Sequence, residues 1–243
     1  MLELVIDGSY NARGIGPAGN TWLARSASLD GITPAGIAAL EKLGIALVLD
    51  LREPGERGPV RHGIPTRNLP LYGERPPQTG SLEEVYRLLL TERAAAITAA
   101  VSAIAECDGP VLVHCTAGKD RTGLVVALAR LAAGYARSDV VADYALSGRS
   151  VRPARTGIVA PLLETLARKA GAAGSQAPGG GISARSDAER LHLDSPAEAL
   201  EYALDLVDEH GGPAEYLLAH GATESQLAAL AERAGTTLGA GSR

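Results

Sequence analysis

The sequence predicts an α/β fold: a mainly parallel central sheet flanked by helices, with a helical C-terminal part. Three observations carry this expectation. Two short apolar runs, 45–50 (IALVLD) and 111–115 (VLVHC), read as buried strands bounded by turn residues. Helix signals lie before, between and after them, the order that joins parallel strands by helical crossovers. From about residue 195 onwards the signals are helical alone.

Taken along the chain, Thr33 is placed to cap a helix with Pro34 at its first position, and Gly44 to end it before the first strand. Ser81 and Glu84 form a capping box for the next helix, and the Ala-rich segment 92–106 forms another. Asp108-Gly109-Pro110 turns the chain into the second strand. A helix follows that strand directly, and Gly134 stops it. Residues 171–187 are rich in Gly, Ala and Ser and read as a mobile loop. Ser195, Pro196 and Glu198 start a further helix that Gly211 and Gly212 end, and Thr223 with Gln226 starts the last. These final helices are too few to bury a core alone. Residues 1–243 therefore read as one domain with a flexible loop near 171–190.

Composition narrows the class. Hydrophobic residues make up 46% of the 243, with one Trp, seven Tyr and no Phe, so the core must be built from Leu, Ala, Val and Ile. A formal net charge of −5 argues against general nucleic-acid binding, although it permits a local basic pocket. Glu3 and Asp7 stand where a signal peptide needs a basic and then an apolar region. The longest apolar stretches, near 94–105 and 124–136, fall short of the ~20 residues of a membrane span. The expectation is a cytoplasmic protein with no integral membrane segment; secretion without a signal peptide and the oligomeric state stay open. His62, His192, His210 and His220 lack ligand spacing, so no metal or cofactor is expected.

The chemistry concentrates in VLVHCTAGKDRTG, residues 111–123. A loop from strand to helix turns successive amides towards one centre, an anion nest at the positive end of the helix dipole. Thr116, Ala117, Gly118, Lys119, Asp120 and Arg121 line it, with Gly118 free to adopt an angle that a Cβ opposes. Arg121 can grip two oxygens of an anion with its guanidinium. The same field favours Cys115 as a nucleophilic thiolate. The Thr122 hydroxyl can bond the sulfur, and His114 can brace the loop.

These residues resemble the C-x5-R signature of the protein tyrosine phosphatase superfamily. The A-G-K-D-R-T form is similar to a bacterial branch of atypical tyrosine phosphatases that also accept phosphoinositides and, in some members, phosphoserine or phosphothreonine. SYNARGIG, LARS, LVLDLREPGE and the closing GGPAEYLLAHGATESQLAAL look like further segments of that branch, so the likeness covers nearly the whole chain. Ala12 and Gly14 stand where the branch has Phe and Asp, which leaves Arg13 without an assigned role. The resemblance implies a tyrosine-phosphatase-like fold and hydrolysis of phosphomonoesters through a cysteinyl-phosphate. The partners it implies are phosphorylated protein or phosphoinositide, with no cofactor.

Most tyrosine phosphatases draw their general acid from an Asp tens of residues before the Cys, but residues 51–107 contain no Asp. Asp108 lies at the wrong end of the strand. Asp120, the position that the resembling branch uses, is the candidate acid, because like-charge repulsion from a bound phosphate favours its protonated form. A Glu within 74–84 is the alternative. Asp50 and Arg52 follow the neighbouring strand and are expected to support the pocket, Asp50 as a partner of Lys119 or Arg121. Otherwise Arg52 pairs with Glu53 or Glu56 on the surface. Lys119 reads either as a point charge for a second phosphate or as an exposed helix-start lysine. Two rival functions share the loop: a rhodanese-like sulfurtransferase and a non-enzymatic phospho-residue binding module.

Overall fold

The computed structural model describes residues 1–17, 20–73, 75–172 and 180–235, with backbone alone for 170–172 and 180–184. Its strands are β1 Leu2–Glu3, β2 Arg13–Ile15, β3 Leu23–Ser26, β4 Leu47–Asp50, β5 Thr66–Asn68 and β6 Val111–His114. The helices before the central loop are α1 Pro34–Lys42, α2 Leu82–Glu92 and α3 Ala94–Glu106, with a 3-10 turn over Pro54–Glu56. After it come α4 Asp120–Ala132, α5 Arg137–Ala145, α6 Ser147–Ala172, α7 Gly180–Leu193, α8 Ala197–Asp208, α9 Pro213–Ala219 and α10 Glu224–Ala234.

The strands form one mixed sheet in the order β1-β2-β3-β6-β4-β5. The pairs β3–β6, β6–β4 and β4–β5 are parallel, and β1–β2–β3 extend the sheet antiparallel at one edge. Strand β6 is thus central, and its register sets Ser26 and Asp50 on either side of His114. The loop that follows β6 therefore opens at the carboxyl ends of three adjacent parallel strands, where α/β folds place their sites.

Alternation along β6 splits the core. Val111 and Val113 join the large cluster beneath α2, α3, α4 and α8–α10, while Leu112 joins a smaller one with Ala24, Leu40 and Val48 beneath α1. Helix α4 is buried almost all round, from Leu124 to Ala129, which explains why its sequence carries apolar residues on every face. Such a helix cannot tilt without opening the core, so its N-terminus is a fixed platform for the loop.

The local signals act much as expected. The Thr33 hydroxyl accepts from the Gly36 N–H at 3.3 Å, and both capping boxes, Ser81 with Glu84 and Thr223 with Gln226, form. Ser195 differs: its hydroxyl accepts from the Gly148 N–H at 2.6 Å and donates to the Ala145 carbonyl, so it ties α6 to α5 instead of capping α8. The expected loop over 171–187 is also too long. Helix α7 begins at Gly180, supported by Ala188 and Leu193 packed on Val159 and Leu163 of α6. Its Ala, Arg, Glu and Leu residues are good helix formers, a signal hidden by the neighbouring glycines. Residues 173–179, the middle of that expected loop, lie outside the described residues. Among the described residues no single helix is long and apolar enough to cross a membrane.

Candidate active site

The loop from Cys115 to Arg121 is shaped from behind. Gly118 has φ 65°, and a Cβ there would stand 2.2 Å from the Ser26 carbonyl oxygen, so the loop packs against β3 as only glycine allows. The Asn11 amide donates to the carbonyls of Ala117 and Gly118 at 3.0 and 2.9 Å, and Arg25 donates to the Gly118 carbonyl at 2.7 Å. Carbonyl and N–H point opposite ways across a trans peptide, so these bonds turn the amides of Gly118 and Lys119 away from Asn11 and Arg25.

Those two side chains belong to a buried charge cluster. Asp143 of α5 accepts from Arg13 at 2.6 Å and Arg25 at 2.8 Å, with Arg130 at 3.6 Å. Arg13 also donates to the Asn11 side-chain oxygen Oδ1 at 2.6 Å and to the Ser147 hydroxyl at 2.9 Å. Burial, then repulsion from Arg25, lowers Arg13 to about 10 despite Asp143. Three cations around one carboxylate leave a positive excess behind the loop, which favours an anion in front of it. Arg13 thus has a definite place, and it needs neither Phe at position 12 nor Asp at 14.

In front lies a cavity of about 260 Å³ whose lining includes Cys115, Thr116, Ala117, Lys119, Asp120 and Arg121. Burial pushes the Cys115 thiol up, but the Arg121 charge and hydrogen bonds from Thr122 outweigh it and draw the thiol below its ordinary value. The Thr122 hydroxyl is buried and bonds no oxygen or nitrogen among the described residues, which leaves it for the sulfur. His114 is buried and lowered by desolvation, so it is neutral at pH 7, with Nδ1 3.3 Å from the Cys115 carbonyl.

Arg121 differs from the sequence reading in its partner. Its Nη1 and Nη2 donate to the two oxygens of Glu56 at 2.6 and 2.7 Å, and Thr116 donates to the same carboxylate at 2.5 Å. The Tyr72 ring lies beneath the guanidinium, 4.7 Å from its centre. Glu56, with the Thr116 hydroxyl 3.3 Å from Nη2, therefore orients the side chain.

Burial pushes the Glu56 carboxyl up, but Arg121 and Thr116 outweigh it and hold it at about 2. A carboxyl depressed in the folded state stabilises the fold above its unfolded value near 4.5, and that stability is lost as pH falls towards 2. Urea unfolding between pH 2 and 5 should therefore show a steeper loss of stability in the parent than in Glu56→Gln. Identical pH dependence would show that this ion pair contributes nothing.

Asp50 and Arg52 lie beside the carboxyl end of β6, without the pairings expected of them. Asp50 bonds neither Lys119 nor Arg121, because its strand register puts it beside His114, Oδ2 3.9 Å from Nε2. It accepts instead from Arg52, whose guanidinium also grips Asp30. Arg52 is buried, so the surface pairing with Glu53 or Glu56 is also corrected. Lys119 is buried too, neither an exposed lysine nor a free point charge: Nζ donates to the carbonyls of Leu191 and Asp194 at 2.9 and 2.6 Å and meets Asp120 at 2.9 Å. Of the alternative acids, Glu83 pairs with Arg190 and Glu84 caps α2, while Glu74 lies outside the described residues.

Sequence reasoning missed Asp143, Glu56, Tyr86 and Tyr144. In the sequence Glu56 is legible only as a surface partner for Arg52, not as the partner of Arg121. Asp143 left one trace, an acid between apolar residues in VVADYA.

A cysteine and, six positions on, an arginine in one strand-to-helix loop make up the C-x5-R signature. The sequence matches the profile of the tyrosine phosphatase family over residues 5–234, and the chain belongs to that family. A relative, the triple specificity protein phosphatase PtpB of Mycobacterium tuberculosis, is 34% identical over 177 residues, 56% of this chain and 64% of that one. The tyrosine-protein phosphatase of Nostoc commune is 32% identical over 138 residues, 51% of this chain and 47% of that one. The chain thus spans between about half and just under two thirds of the length of these relatives. A solved structure of the Siw14 catalytic core superposes with a TM-score of 0.41 at 18% identity, over 59% of this chain and 78% of that one; so loose an overlap carries no argument.

Proposed function

We propose that the chain, read as one phosphatase domain, hydrolyses phosphomonoesters through a cysteinyl-phosphate intermediate. The observation that carries the reading is the Cys115 thiol, drawn down beside an arginine that Glu56 has already oriented. The family match over residues 5–234 supports it and disfavours the sulfurtransferase reading.

In the first step the Cys115 thiolate forms the S–P bond as the P–O bond breaks, and Asp120 gives its proton to the leaving oxygen. In the second, water attacks phosphorus, Asp120 takes a proton from it, and the S–P electron pair returns to sulfur. Arg121 and the loop amides hold the three equatorial oxygens throughout. The substrate is phosphotyrosine in protein, with phosphoserine, phosphothreonine and phosphoinositide as further candidates. The name of the M. tuberculosis relative, a triple specificity phosphatase, favours breadth over a tyrosine-only site.

The test is a panel of phosphotyrosine peptide, phosphoserine peptide and phosphoinositide vesicles, with EDTA and with Cys115→Ser protein. Turnover that survives EDTA and vanishes in the variant supports the reading; activity unchanged by Cys115→Ser overturns it. Asp120→Asn should lower kcat by about 100-fold or more on an alkyl phosphate and far less on 4-nitrophenyl phosphate. Equal losses on both would remove Asp120 from the acid role.

A further inference from the structure

Two buried tyrosines outside the loop reach the carboxylate that this mechanism assigns as the acid. Tyr86 of α2 donates from its hydroxyl to Asp120 Oδ1 at 2.9 Å. The Tyr144 hydroxyl of α5 lies 2.5 Å from that of Tyr86, their rings meeting edge to face. Both rings are almost wholly excluded from solvent, at 0% and 1% exposure. A carboxylate only accepts, so Tyr86 spends its one proton on Asp120 and must take its own hydrogen bond from Tyr144. The direction of the chain is fixed: Tyr144 to Tyr86 to Asp120. A tyrosine that merely fills a core finds a backbone carbonyl, as Tyr216 does on Leu90 at 2.8 Å. Tyr86 serves a pocket side chain instead.

The asymmetry at Asp120 matters. Tyr86 and the Lys119 ammonium both meet Oδ1, each at 2.9 Å. An oxygen whose lone pairs face two donors is the poorer place for a proton, so the acidic proton of the protonated form sits on Oδ2. We propose that Tyr86, backed by Tyr144, is a positioning residue that pins Oδ1 and presents Oδ2 as the proton-exchanging atom. The inference rests on the acid role of Asp120 and deepens it.

The groups facing Asp120 are Lys119, Cys115 and Arg121 from the loop, Tyr86 from α2, Tyr144 from α5, Tyr72 from the segment after β5, Arg155 from α6 and His192 from α7. Burial first, then the Asp120 charge, pushes the Tyr86 phenol well up, so it stays a neutral donor throughout the working range.

The test measures kcat for the parent, Tyr86→Phe, Tyr144→Phe, Asp120→Asn and the Tyr86→Phe/Asp120→Asn double variant. Each is assayed on an alkyl phosphate and on 4-nitrophenyl phosphate. Tyr86→Phe should lose about tenfold on the alkyl ester, the loss expected for one hydrogen bond to a charged group, and under about threefold on the activated one. In the Asp120→Asn background it should cost nothing more, and Tyr144→Phe should repeat the pattern more weakly. Equal losses on both esters, or losses that add to those of Asp120→Asn, would overturn the positioning role while the acid role stands. Absence of any leaving-group dependence in Asp120→Asn would remove both. If Tyr86→Phe does not fold, as judged by thermal melting, Tyr144→Phe decides the question by the same criteria.

Discussion

Replacing Asp143 by Ala should lower the stability of the fold by about 3–5 kcal/mol, the cost of leaving buried charges without their partner. The carboxylate is 2% exposed and answers Arg13, Arg25 and Arg130, each itself buried. Such a loss is a large fraction of the roughly 5–15 kcal/mol that holds a domain together. Burial pushes the Asp143 carboxyl up, but Arg25 and Arg13 outweigh it and hold it below the usual range. Its stabilisation is therefore present at neutral pH and lost as acid protonates it. Asn, which keeps an acceptor but no charge, should fall between Ala and the parent. Urea unfolding at pH 7 measures all three, and a loss under about 1 kcal/mol for Ala would mean that the arginines find other partners. Activity should fall as well, since Arg25 and Asn11 carry the cluster's geometry to the carbonyls of the loop.

Cys115→Ser should abolish turnover, by at least about a thousandfold, while leaving the fold intact. The substitution is nearly isosteric, and the sulfur's surroundings are polar enough to accept a hydroxyl. What it removes is ionisation: the field of Arg121 and the bonds from Thr122 favour the thiolate, but a serine hydroxyl titrates far too high to respond. The variant should still bind phosphate, because the amides and Arg121 are unchanged. A variant that loses binding along with turnover would point to collapse of the loop.

The parts of this account visible in the sequence are those set by neighbours along the chain. Strands β4 and β6, the Thr33, Ser81 and Thr223 caps, and the Cys115–Arg121 loop each depend on a few consecutive residues. The groups that hold the loop in shape come from elsewhere. Glu56 reaches Arg121 across 65 positions, Asn11 reaches Gly118 across 107 and Arg13 reaches Asp143 across 130. No local pattern encodes such pairs; the strand order does, and the antiparallel β1–β3 edge was too short to read. Asp50 shows the same limit. Its place beside the site was legible, but its partner followed from the register of β4 on β6. Tyr86 and Tyr144 were hidden because a buried tyrosine looks like core until its hydroxyl is traced.

The most direct measurement is a rapid acid quench during turnover of 4-nitrophenyl phosphate, followed by digestion and mass analysis of the peptide that contains position 115. Covalent catalysis by the thiolate predicts one phosphoryl group on that peptide, carried by the Cys115 sulfur and absent from Cys115→Ser. Steady turnover with no phosphoryl group on that sulfur at any quench time, or with the group on another residue, would contradict it.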